Sequence, residues 1–71
     1  MKGYIYLKAK HEESVVERNI IDENNAMKNT IESAKHIVKL ENIKGVKYDS
    51  VKINIVDKDG VIDTLRFKPT Y

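Results

Sequence analysis

VKINIVDKDGVIDTLRFK, from Val51 to Lys68, decides the fold. Val51, Ile53 and Ile55 alternate with Lys52 and Asn54, and Leu65 and Phe67 alternate with Arg66 and Lys68. This is the two-residue period of a half-buried strand. Asp57-Lys58-Asp59-Gly60 lies between the two runs, so they read as an antiparallel hairpin. A three-residue loop, Lys58-Asp59-Gly60, predicts a type I turn closed by a bulge, with Gly60 taking the positive φ that geometry requires.

That loop sets Asp57 opposite Val61 and predicts the pairs Val56–Ile62, Ile55–Asp63, Asn54–Thr64, Ile53–Leu65, Lys52–Arg66 and Val51–Phe67. One face then carries Val51, Ile53, Ile55, Leu65 and Phe67. The other carries Lys52, Asn54, Thr64, Arg66 and Lys68. A slip of one residue would mix the two sets. Lys52 faces Arg66 across the pair, and like charges in that position cost stability. Either a carboxylate from a neighbouring strand separates them, or the face stays positive for a partner.

Upstream, Tyr4 to Lys10 alternates in the same way. Ile5, Leu7 and Ala9 share one face, and Tyr4, Tyr6, Lys8 and Lys10 share the other. His11 to Ser14 reads as a turn. Val15 to Ile21 is compatible with a strand, from its β-branched pairs, or with a helical stripe through Val16, Ile20 and Met27. The strand is preferred.

Asp22 to Lys44 reads as one helix. Asp22 is the expected N-cap, and Glu23 suits the positive end of the helix dipole. Met27, Ile31, Ala34 and Val38 form the expected central stripe, flanked by Thr30 and Ile37. Gly45 fits the left-handed position that ends a helix. Leu40 and Ile43 fall off the stripe, either packing on the Gly45–Ser50 connection or staying exposed. The expected fold is a single α+β domain over residues 1–71. A small antiparallel sheet in ββαββ or βαββ order carries one long amphipathic helix on its apolar face.

Composition narrows function. A chain of 71 residues has a small core, so dimerisation would be a natural way to bury more surface. With no cysteine there is neither a disulfide nor a thiolate metal site, which suits a reducing cytoplasm. The 13 basic and 11 acidic residues leave a net charge of +2, so any electrostatic function must depend on where charges lie. No signal peptide, anchor or membrane segment is expected.

His11 and His36 have no second ligand at helical spacing, and Asp57, Asp59 and Asp63 lack the order and terminal Glu of a calcium loop. No metal and no cofactor is expected. Ser14, Ser33 and Ser50 lack the setting of an activated nucleophile, and the three scattered glycines build no phosphate loop. The chain is therefore read as non-enzymatic.

The sequence leaves open whether the first strand lies beside the hairpin. If it joins the same sheet with its apolar residues inward, the polar face is the candidate site: Tyr4, Tyr6, Lys8, Lys10, Lys52, Asn54, Arg66 and Lys68. Aromatic planes beside cations can stack bases and meet phosphates, as in sheet platforms for single-stranded nucleic acid. No RNP-type consensus is present. The alternative is a protein-interaction module, a homodimer or an inhibitor of a larger protein of the sort mobile elements encode, working through an exposed sheet edge.

Overall fold

The computed structural model describes residues 1–71 and has the order ββαββ. The strands are β1 (Lys2–Lys8), β2 (Glu13–Asn19), β3 (Ser50–Asp57) and β4 (Gly60–Phe67). Helix α1 (Ala26–Ile43) separates the two hairpins. The sheet order is β2-β1-β3-β4, with every neighbouring pair antiparallel. The sequence left open where the first strand would sit. It lies at the centre, between β2 and β3.

Val15 to Asn19 is strand, as preferred, and the strand starts two residues earlier, at Glu13. Ile20 and Ile21 fall outside it, although the Ile20 amide still bonds the Met1 carbonyl at 3.1 Å. The first strand is shifted as well. It ends at Lys8, because the Ala9 amide turns to the Glu12 carbonyl at 2.9 Å and closes the connection to β2.

The hairpin keeps its predicted register from Val51–Phe67 through Ile55–Asp63. Near the turn it departs from expectation. Asp57 pairs with Gly60 and Val56 with Val61, so Ile62 is the extra residue. The irregularity thus lies inside the ladder rather than at the loop. Gly60 has the expected positive φ, +117°. The Asp57 carboxylate accepts the Asp59 amide at 2.7 Å, which tightens the turn.

Asp22 does not cap the helix through its side chain. A 3₁₀ turn, Glu23–Asn25, intervenes, and the Asp22 carboxylate instead accepts the Asn25 side-chain amide at 2.8 Å. At the other end Gly45 has φ +91°. Its amide bonds the Asn42 carbonyl and the Val46 amide bonds that of Glu41, the two bonds of a Schellman motif.

The buried line of α1 is Ala26, Thr30, Ala34 and Val38. Ala34 and Val38 are buried as expected, but in the N-terminal half Ala26 and Thr30 take the places expected for Met27 and Ile31. Met27, Ile31 and Ile37 flank it, half-buried. The reason is close approach. Small side chains face the sheet, and Thr30 lies over Gly3 of β1, where no Cβ stands in the way. The Thr30 hydroxyl donates to the Ala26 carbonyl at 2.8 Å, which satisfies the one buried polar side chain. Ile5, Leu7, Val51, Ile53 and Ile55 supply the sheet side of the core. Leu40 and Ile43 are exposed, which settles their alternative. No helix is long and apolar enough to cross a membrane.

Candidate functional site on the outer sheet face

The helix covers one face of the sheet and leaves the other open. The pairings order the open face into rows. Val15, Tyr6, Lys52 and Arg66 form one row, and Glu17, Tyr4, Asn54 and Thr64 form the next. Glu13, Lys8 and Ser50 lie beyond the first of these rows. Six of the eight candidate residues therefore share one face: Tyr4, Tyr6, Lys8, Lys52, Asn54 and Arg66. Lys10 and Lys68 lie just past the ends of β1 and β4. Lys68 lines a cleft beside the helix.

Lys52 and Arg66 are direct partners, as predicted, and no carboxylate comes between them. Neither takes part in an ion pair, since the three in the molecule are Lys2–Glu17, Lys8–Glu13 and Lys44–Glu41. The Lys52 ammonium lies 4.8 Å from the centroid of the Tyr6 ring, a cation–π contact that draws it away from Arg66. One row thus joins an aromatic plane to two cations free of carboxylate partners.

A depression of about 340 Å³ opens over this row, with Tyr6, Lys8, Ser50, Lys52 and Arg66 around it. Glu13 closes its β2 side and holds Lys8 at 3.9 Å. Positive charge is therefore concentrated over β3 and β4. In the neighbouring row the Thr64 hydroxyl donates to the Asn54 side-chain oxygen at 2.9 Å, and the Asn54 amide nitrogen has no acceptor within the chain.

Residue identities missed the acidic border of the face. Glu13 and Glu17 reach it because β2 is the neighbour of β1. Their alternation with Val15 was a usable signal. Only the strand order assigns them to the Tyr4–Tyr6 face.

Lys2 and Glu17 form the best-defined ion pair here. A hydrogen bond and the charge of Glu17, with a smaller contribution from Tyr4, hold the Lys2 amine above its ordinary value of 10.5. Because the value is raised on folding, the pair stabilises below the unfolded lysine value. That contribution is lost as pH rises through the folded value. Glu17→Gln should bring the Lys2 titration, followed by NMR, back towards the ordinary value. Thermal stability near neutral pH should barely change, because the pair is exposed.

Charge is also unevenly spread along the molecule. The Ile20–Met1 bond places the start of the helical segment at the N-terminal end of β1, and the Asp49 amide bonds the Lys8 carbonyl where the helix has returned. The row Val16–Ile5–Ile53–Leu65 divides the sheet into two halves. The half where β4 ends holds Lys8, Lys10, Lys35, Lys39, Lys44, Lys47, Lys52, Arg66 and Lys68 against Glu12, Glu13, Glu41 and Asp49, a net +5. The half with the β3–β4 turn holds Lys2, Arg18, Lys28 and Lys58 against Glu17, Asp22, Glu23, Glu32, Asp57, Asp59 and Asp63, a net −3. Together they give the +2 of the whole chain. The depression over Tyr6 lies in the positive half.

Comparison of the chain with protein-family models, curated proteins and solved structures gives no match, and function has to be read from the chemistry of this face.

Proposed function

We propose that this is a small, non-enzymatic cytoplasmic protein that binds single-stranded nucleic acid on the open face of its sheet. Tyr4 and Tyr6 supply stacking planes two residues apart on one strand, about 7 Å along it. Lys8, Lys52 and Arg66 meet phosphates, and the Asn54 side-chain amide nitrogen, which has no acceptor within the chain, donates to a base edge or a phosphate oxygen. Lys10 and Lys68 extend the positive rim. One observation carries the reading: the row Tyr6–Lys52–Arg66, in which like charges are kept side by side without a carboxylate. Such an arrangement costs stability in the free protein, and an anion would relieve it.

The test is fluorescence anisotropy with a labelled mixed-sequence single strand. Lys52→Glu with Arg66→Glu should weaken binding at least about tenfold, or about 1.4 kcal/mol. With three phosphate contacts, log affinity should fall against log salt with a slope of about −2. Undiminished binding by the double variant would remove the sheet face from consideration.

A second reading has its own observation. Both sheet edges, β2 and β4, are uncovered, and Val61 and Ile62 are exposed beside the β4 edge. An interaction module pairing a strand of a protein partner there would be insensitive to the Lys52/Arg66 variant and to moderate salt.

A further inference from the structure

A second cleft, about 370 Å³, lies between the C-terminal half of α1 and the tail that follows β4. Val38, Phe67 and Tyr71 contribute apolar surface, and Lys35, Lys39 and Lys68 contribute charge. No carboxylate side chain lines it, and none of the three lysines is in an ion pair. Its tail wall is pinned. The Tyr71 hydroxyl accepts the Tyr48 amide at 2.6 Å and donates to the Tyr48 carbonyl at 3.2 Å. The Lys47 ammonium lies 5.6 Å from the Tyr71 ring centroid and adds a fourth positive charge nearby.

The opposite end of the molecule, whose long dimension is 36 Å, has the complementary character. Asp57, Asp59 and Asp63 surround the β3–β4 turn, and Lys58 leaves that segment at net −2. Val61 and Ile62 beside it are 58% and 53% exposed. The turn is thus acidic and apolar, and the cleft is basic and apolar. The turn of one chain cannot reach the cleft of the same chain, because they lie at opposite ends of the sheet.

We propose that copies of this protein associate head to tail, the turn 57–63 of one chain seated in the Lys35–Lys39–Lys68 cleft of the next. Val61 and Ile62 cover the apolar floor, and the aspartates meet the lysines of its rim. The contact joins two different surfaces, so it propagates as a ring or an open row rather than closing as a two-fold dimer. It goes beyond the nucleic-acid reading and does not depend on it: Lys68 is the one residue named in both, and the cleft otherwise lies on the helix side of the sheet, away from Lys52 and Arg66.

Sedimentation velocity across a concentration series tests this, at low (~20 mM) and high (~500 mM) ionic strength. The weight-average mass should rise with concentration at low salt and return to that of one chain at high salt. Asp59→Lys with Asp63→Lys makes the turn basic, and Lys35→Glu with Lys39→Glu takes the side-chain charge lining the cleft from +3 to −1. All four residues are exposed, and circular dichroism verifies that the fold survives. Each double variant alone should stay monomeric. An equal mixture should assemble again, since each turn then finds a cleft of opposite sign. The milder Asp59→Asn should weaken association severalfold and serves if a double variant unfolds. Monomeric wild type at low salt, assembly by either double variant alone, or a mixture that stays monomeric would each overturn the proposal.

Discussion

Ile53→Ala is expected to cost about 2–5 kcal/mol. Ile53 is fully buried at the centre of β3, between Ile5 of β1 and Leu65 of β4, on the face that the helix covers. Truncation leaves a void that its neighbours cannot fill, because β1 and β3 are inner strands held on both sides. At roughly 0.05–0.15 kcal/mol per residue, the whole domain has only about 4–10 kcal/mol to lose. The urea midpoint should therefore fall by a large fraction of its value, with little change in the slope of the transition. Ile43→Ala is the control. Its side chain is exposed at the end of α1, and its unfolding free energy should change by no more than about 0.5 kcal/mol. A cost below about 1 kcal/mol for Ile53→Ala would contradict the packing described.

Gly3→Ala should also destabilise, for the opposite reason. A Cβ on Gly3 would come within 2.9 Å of the Thr30 hydroxyl and 3.1 Å of its methyl. Thr30 cannot simply turn away, because its hydroxyl is committed to the Ala26 carbonyl. The helix has to lift from the sheet, at about 1–3 kcal/mol. Thr30→Ala removes both clashing atoms, so it should be less harmful in the Gly3→Ala background than in wild type. A double-mutant cycle by urea denaturation should yield a favourable coupling of about 1 kcal/mol or more. Additive costs would mean that the helix does not approach β1 as closely as described.

These two sites also mark how far the sequence could be read. Ile53 was legible as core because strand alternation and turn chemistry agreed on one register. Gly3 was not. Its importance depends on which strand lies beneath the helix and on the rotation of α1 about its axis. Ala26 and Thr30 are poor hydrophobic signals, so periodicity favoured the larger Met27 and Ile31 instead. Both of those prove to be flanks. The same logic applies to the open face. Tyr4, Tyr6, Lys52 and Arg66 could be grouped from alternation within each hairpin. The acidic border from Glu13 and Glu17 depends on β2 lying beside β1, which neither alternation nor spacing specifies. The shifted bulge at Ile62 is of the same kind. Asp-Gly marks a turn, yet several hairpin geometries place Gly60 at positive φ.

The most direct test of the open sheet face as the binding surface is amide chemical-shift mapping. The isotope-labelled protein would be titrated with a short single-stranded oligonucleotide at low salt. The predicted shifts lie on Tyr4, Tyr6, Lys8, Lys52, Asn54 and Arg66, saturate with added oligonucleotide, and disappear in the Lys52→Glu, Arg66→Glu protein. Shifts confined to the helix and the C-terminal tail, or none at all, would contradict it.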